Sequence, residues 1–174
     1  ATNDPDLAIL LHRGQLVSGA LLPPIDSYRL LQDVKTLALR LERQQQNARK
    51  LIEFLSERPE VEKIFYAGNS SAEQAEVQSR QARGIGSVFS LLLKDGGDAQ
   101  AFARALPIFV NAVSLGGIES LVSLPAHTTH GAYAQEHRDE FGVDDRLVRL
   151  AIGIEDVQDL IAALKIGLKA AFAG

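Results

Sequence analysis

Between Pro59 and the closing helix the apolar residues collect in five short runs, at 61–66, 88–93, 109–113, 120–124 and 147–153. Each run is short for a helix and rich in Val, Ile, Leu or Phe, so each predicts a strand. Helix-prone segments lie between them. A polar stretch occupies 72–82, Asp98 is placed to cap a helix over 99–106, and Glu155-Asp156 opens a closing helix. That last helix turns Val157, Leu160, Ile161, Leu164, Ile166 or Gly167, and Ala171 inward. Few, short strands alternating with helices predict an α+β fold, a small mostly antiparallel sheet with helices on one face.

The region before Pro59 is helical in pattern. Asn3-Asp4-Pro5 offers a cap followed by a first-turn proline, and Leu7, Ile9, Leu10 and Leu11 form an apolar face as far as about Gln15. Ser18-Gly19 breaks it, and Pro23-Pro24 is expected to hold off the next helix until Asp26. From there Tyr28, Leu31, Val34, Leu37 or Ala38, Leu41, Ala48, Leu51, Ile52 and Leu55 make one stripe, which predicts a long helix packed along a domain. Arg40, Glu42, Arg43, Gln44, Gln45, Gln46, Arg49 and Lys50 fall mostly on its wet side.

The composition narrows the function. With 46% hydrophobic and 23% charged residues the chain is globular in character, and a net charge of −4 offers no footprint for nucleic acid or an anionic membrane. No apolar run reaches the span of a bilayer. There is no cysteine, so thiolate chemistry and disulfides are excluded, and a cytoplasmic location is expected. There is also no methionine, and Ala1 opens directly on a helix-start signal. The chain is therefore expected to be the downstream piece of a longer one.

The residues that carry chemistry cluster late. Between the runs at 109–113 and 120–124 stands Gly116-Gly117, which reads as strand, tight turn, strand, followed by Pro125-Ala-His-Thr-Thr-His130. Arg149 sits mid-strand among Leu147, Val148, Leu150 and Ile152, where a charge needs a partner. That partner is an anionic ligand, or Asp144 or Asp145; alternatively Arg149 lies on the open face of an edge strand. Ser114 is either a turn residue or a hydroxyl at a site. Glu119 is either solvated, paired with an arginine, or turned to the same site. His127, His130 and His137 lie in loop-type sequence without HExxH or cysteine, so no metal centre is expected. Gly84-Ile-Gly86 and Gly96-Gly97 lack a phosphate-loop pattern and read as turns.

The segments Ser114-Leu-Gly-Gly-Ile-Glu-Ser-Leu, Pro125-Ala-His-Thr-Thr-His and Leu147-Val-Arg-Leu-Ala-Ile-Gly-Ile-Glu-Asp resemble the C-terminal region of the Cys/Met-metabolism pyridoxal-phosphate enzymes. Lys35-Thr-Leu-Ala-Leu-Arg, Asn47-Ala and Val61-Glu-Lys-Ile-Phe-Tyr follow the same order, so the resemblance runs nearly end to end. It departs at Gln32-Asp33-Val34, Ala67-Gly68-Asn69 and Leu124.

The resemblance implies a fold-type I C-terminal domain at 59–174, and at 1–58 the tail of the cofactor domain with its linker helix. It implies that Arg149 holds the α-carboxylate of an amino acid substrate, that Ser114 lies at that carboxylate and near the Schiff-base lysine, and that Ser114-Leu115-Gly116, a short segment over the cofactor, borders the substrate together with Val113. Val113, where cystathionine-specific members carry an acid, disfavours a charged distal group; its bland alternative is a core position. The implied chemistry is β/γ-elimination or γ-replacement on a sulfur amino acid or homoserine ester, with pyridoxal phosphate in the parent enzyme. The Schiff-base lysine, the stacking aromatic, the pyridinium aspartate and the phosphate ligands of the family have no counterpart in this chain. It is therefore expected to be inactive by itself, to bind no cofactor, and to associate with a second copy or with the missing N-terminal part. The rival reading is a non-catalytic, self-associating interaction domain.

Overall fold

The computed structural model describes residues 2–69 and 71–173. By its internal contacts the chain divides into Ala1–Ala38 and Leu39–Gly174.

In the first unit, helix α1 (Pro5–Ser18) starts as its sequence dictates. Asp4 accepts hydrogen bonds from the amides of Asp6 and Leu7, and Gly19 ends the helix at φ 68°. Helix α2 (Pro24–Lys35) begins earlier than expected, with Pro24 inside its first turn and Asp26 an acidic first-turn residue rather than the cap. Proline's fixed φ and missing N–H suit that position, because the first-turn amides have no intrahelical acceptor. No residue of α1 or α2 is buried, and Leu10, Leu16 and Leu31 are all more than half exposed.

The expected single linker helix is two helices. At Thr36, with φ −106° and ψ 0°, α2 stops, and α3 (Leu37–Ser56) begins at the next residue. The contact division at Ala38 lies well before the boundary expected near Pro59, because the later turns of α3 are buried in the second unit. Ala48, Leu51, Ile52 and Leu55 of α3 all belong to that unit's core. Gln44 and Asn47 are buried beside them, at 0% and 1% exposure. Gln44 is thus not on the wet side. Positions 44, 48, 51 and 55 share one helical face, and spacing overrides polarity there.

The second unit holds a sheet in the order β1-β2-β5-β4-β3. Strands β1 (Val61–Phe65) and β2 (Val88–Leu93) pair antiparallel, β2 pairs antiparallel with β5 (Leu147–Ala151), and β5 antiparallel with β4 (Leu121–Ser123). Strand β3 (Val110–Asn111) pairs with β4 in parallel, Val110 opposite Leu121 and Asn111 opposite Val122. The expected tight turn at Gly116-Gly117 is therefore absent among the described residues. A two-residue turn makes an antiparallel hairpin, whereas here the chain must travel back past β3 before β4 starts.

Helix α4 (Ala72–Gln81) lies between β1 and β2, α5 (Ala99–Ala105) follows β2 with Asp98 as its cap, and α7 (Val157–Ala171) closes the chain under Asp156. A short helix, α6 (Gln135–Glu140), was not expected; its sequence, Gln-Glu-His-Arg-Asp-Glu, has no apolar periodicity to announce it. Residues from α3, α5 and α7 share one core cluster with Phe89, Leu91 and Leu93 of β2, Val122 of β4 and Val148 and Leu150 of β5. Each of those large side chains contributes about 1.5–3 kcal/mol on burial. Helices α5 and α7 approach closely at Gly167, where an added Cβ would stand 2.7 Å from Leu106. No helix among the described residues is long and apolar enough to cross a membrane.

Candidate functional site

Val148 and Leu150 point into the core, so Arg149 between them lies on the other face of the sheet. Strand β5 is central, not an edge, and the register sets Arg149 opposite Ser90 of β2 and Ser123 of β4. A half-buried guanidinium therefore stands in a row between two serines. Its candidate carboxylate partners are both engaged elsewhere. Asp144 binds Arg146 at 2.8 Å, and Asp145 lies 3.3 Å from Arg138. Among the described residues Arg149 has neither an ion pair nor a hydrogen bond to its side chain. A guanidinium is able to take a carboxylate through two parallel hydrogen bonds, and here its donors are left open.

The row continues toward Ser114. The amide of Ala112 donates to the Val122 carbonyl at 3.1 Å, which carries the β3–β4 ladder one step past Asn111 and brings Ala112 level with Ser123. At the strand spacing of a sheet, Ala112 stands about 10 Å from Arg149, two strands across. Ser114 follows two residues later. It is the one non-glycine residue with positive φ among those described, at 112°, and Gly116 follows at 85°. Backbone held in such a region costs about 1–3 kcal/mol and persists only where its surroundings impose it. No hydrogen bond joins Ser114 to Arg149, so the structure sets them in neighbouring parts of one sheet end without linking them directly.

Val113 and Leu115 flank Ser114 and are 50% and 56% exposed. The core alternative for Val113 is thereby removed. Glu119 is exposed and makes no ion pair among the described residues. The histidines separate: His127 meets the Gln100 amide at 3.3 Å, and His130 meets the Thr129 hydroxyl at 2.9 Å and packs against Tyr133 and Phe141. His137 lies exposed on α6.

Three residues that anchor this region were not read from the sequence as parts of a site. Glu155 accepts from the Ser120 amide at 2.6 Å and the Ser120 hydroxyl at 2.9 Å. Asn47 donates to the carbonyls of Gly153 and Glu155, and Gln44 donates to the carbonyl of Gly117. For Gln44 and Asn47 the signal was a polar residue on an apolar helical face.

A cavity of about 540 Å³ opens elsewhere, lined by Arg49, Gln78, Arg83, Gly84 and Ile85, and contains neither Ser114 nor Arg149. The adjacent Tyr66 donates its hydroxyl to the Gly86 carbonyl at 2.9 Å, and burial pushes its pKa up against the pull of Arg49. Both arginines of this cavity, Arg49 and Arg83, are exposed, whereas Arg149 is half-buried.

Fold and row together define an α+β domain that presents an unpaired arginine from its central strand. The chain belongs to the family described as Cys/Met metabolism PLP-dependent enzyme, which matches residues 1–169. It is 42% identical over 155 residues to the L-methionine gamma-lyase of Pseudomonas putida, covering 88% of this chain and 39% of that protein. It is 39% identical over 160 residues to the cystathionine gamma-lyase of Bacillus subtilis (strain 168), covering 92% of this chain and 42% of that protein. The solved structure of cystathionine gamma-lyase from Lactobacillus plantarum complexed with L-serine superposes at a TM-score of 0.90 and 35% identity, over 98% of this chain and 45% of that one. The chain thus spans about two fifths of the length of the curated relatives it matches, and its fold is that of the C-terminal part of fold-type I pyridoxal-phosphate enzymes.

Proposed function

We propose that this chain supplies the substrate-carboxylate side of a pyridoxal-phosphate enzyme that eliminates or replaces a β- or γ-substituent on a sulfur amino acid or homoserine ester. Arg149 forks onto the α-carboxylate, and Ser114 with Leu115 and Val113 borders the amino acid on the β3 side. The observation that carries this reading is the guanidinium of a central-strand arginine between two serines, with Asp144 and Asp145, the carboxylates close to it in sequence, already taken.

Pyridoxal phosphate supplies the electron sink of such reactions, while protein groups orient the amino acid. The residues of this chain do not fit the cofactor's covalent attachment. All six lysines, at 35, 50, 63, 94, 165 and 169, are exposed, whereas an imine-forming lysine is activated by desolvation in a pocket. The chain's part is to bind and orient, and by itself it is expected to turn nothing over. Residues 1–58 are read as the tail of the cofactor-binding domain and its linker, and 59–174 as the substrate-side domain.

The test is turnover of L-methionine and L-cystathionine by the gene product that carries this chain. Arg149→Ala is expected to lower kcat/KM by about 10²–10³-fold, as for loss of a buried charge partner, with the sedimentation coefficient unchanged. Arg149→Lys keeps the charge but loses the fork, and is expected to fall between the two. An Arg149→Ala enzyme with full turnover would sink the reading.

A second reading has one observation in its favour. Leu10, Leu16 and Leu31 are exposed on α1 and α2, neither of which buries a residue, and exposed apolar side chains of this kind mark contact with another chain. If the chain is a self-associating module without chemistry, Arg149→Ala changes nothing in turnover, and replacing Leu10 and Leu31 by Gln shifts the sedimenting species to a smaller one.

A further inference from the structure

The loop from Ser114 to Glu119 has little of its own to hold it. It joins two parallel strands, and two of its first three residues have positive φ. What holds it comes from outside, in two layers. Directly, the Gln44 side-chain amide donates to the Gly117 carbonyl, the Ile154 amide donates to the Ile118 carbonyl at 2.9 Å, and Glu155 takes both the amide and the hydroxyl of Ser120. Behind these, the Gly153 amide donates to the Ser120 hydroxyl at 2.9 Å, and Asn47 donates to the carbonyls of Gly153 at 3.1 Å and Glu155 at 2.9 Å. Helix α3 thus fastens both the loop and the segment against which the loop lies.

Gln44 is the informative member. It is wholly buried on the stripe shared with Ala48, Leu51 and Leu55, and its Oε1 has no hydrogen-bond partner. Packing alone would favour an apolar residue there, because a buried unpaired oxygen is destabilising. The amide is accounted for by the one bond it makes, to Gly117.

We infer that Gln44, braced by Asn47 and Glu155, is a positioning residue that holds Ser114 in its strained backbone conformation for contact with the bound amino acid. This rests on the reading of Ser114 as a substrate neighbour, and the test separates the two. In the 174-residue chain, Gln44→Met keeps the length of the side chain and removes the donor. The readouts are amide exchange at Ile154 and Ser120 against the β2–β5 ladder amides, and the HN–Hα coupling of Ser114, which reports its φ. Exchange at Ile154 and Ser120 is expected to rise about tenfold beyond any change in the ladder, the size of one lost buried hydrogen bond, and the Ser114 coupling to move toward its coil average. Ile52→Val, a packing change on the same helix, is expected to leave both readouts in step with the ladder. In the gene product that carries this chain, Gln44→Met is expected to raise KM for L-methionine or L-cystathionine about tenfold with a smaller change in kcat.

Glu155→Gln approaches the same loop from the opposite side, and serves if Gln44→Met does not fold. Unchanged exchange and coupling in whichever variant folds would overturn the inference, whatever the kinetics. Loop readouts that move while KM stays at the wild-type value in an active enzyme would overturn it too. A wild type without any turnover overturns the functional reading instead, and leaves the loop readouts to decide the clamp.

Discussion

Asp144 grips Arg146 at two points, Oδ1 accepting from Nε at 3.1 Å and Oδ2 from a terminal nitrogen at 2.8 Å. The same guanidinium reaches Glu62 at 3.0 Å, Asp95 at 2.6 Å and the Leu93 carbonyl at 3.2 Å, and so ties β1, the end of β2 and the start of β5 together. This network takes up Asp144, one of the two carboxylates close in sequence to Arg149. It also predicts a division of labour. Arg146→Ala is expected to destabilise the domain by about 2 kcal/mol, because charge-assisted bonds on a largely covered side chain are lost, while Asp95, 98% exposed, contributes little of that. A urea titration of the variant measures it.

The pairing makes stability depend on acid pH. Hydrogen bonding from Arg146 holds the Asp144 carboxyl below its ordinary pKa, against a smaller opposing effect of burial. A depressed folded-state pKa means that the unfolded chain takes up the proton first as pH falls. The contribution is therefore fully present above the ordinary value, about 3.9, and is lost as pH drops through the lower folded value. The Tm difference between wild type and Asp144→Asn is expected to be constant from pH 7 to 5 and to shrink below pH 4. A difference that grows toward low pH contradicts the pairing.

How much of this was legible in the sequence depends on the range of the interaction. Asp4, Asp98 and Asp156 act as caps because the evidence for a cap lies within three residues of it. The strands at 88–93 and 147–151 follow from their apolar runs, and Arg149 stands out because a charge interrupts one. The parallel pairing of β3 with β4 was not legible, since nothing local distinguishes a return loop around Gly116-Gly117 from a hairpin. Neither were Gln44 and Glu155. Their partners, Gly117 and Ser120, lie 73 and 35 positions away, and a polar residue announces its need for a partner without naming it.

Gly153 and Gly116 are required for different reasons, and their alanine variants separate them. A Cβ at Gly153 would run into the Ile118 carbonyl oxygen and the Glu155 carboxylate, in a segment already fixed by Asn47 and Ser120. Gly153→Ala is expected to cost about 3 kcal/mol, the upper range for overpacking a closed site. At Gly116 nothing lies within 4 Å of an added Cβ, and the whole penalty is its φ of 85°. Gly116→Ala is expected to cost about 1 kcal/mol. Equal Tm losses in the two variants would contradict this account of the loop.

Ser114 turns the strain of that loop into a measurable exchange between stability and binding. Its φ of 112° penalises every side chain with a Cβ, so Ser114→Gly is expected to raise stability by about 1 kcal/mol, and Ser114→Ala, which keeps the strain, to leave it nearly unchanged. Both variants lose the hydroxyl. If the hydroxyl borders the bound amino acid, both raise KM, but Ser114→Gly raises it further, because a relaxed backbone no longer holds the loop in one conformation. Thermal unfolding gives the first ordering and steady-state kinetics the second. A glycine variant both less stable than wild type and equal to the alanine variant in KM would mean that the backbone at Ser114 stores no strain and the loop needs none.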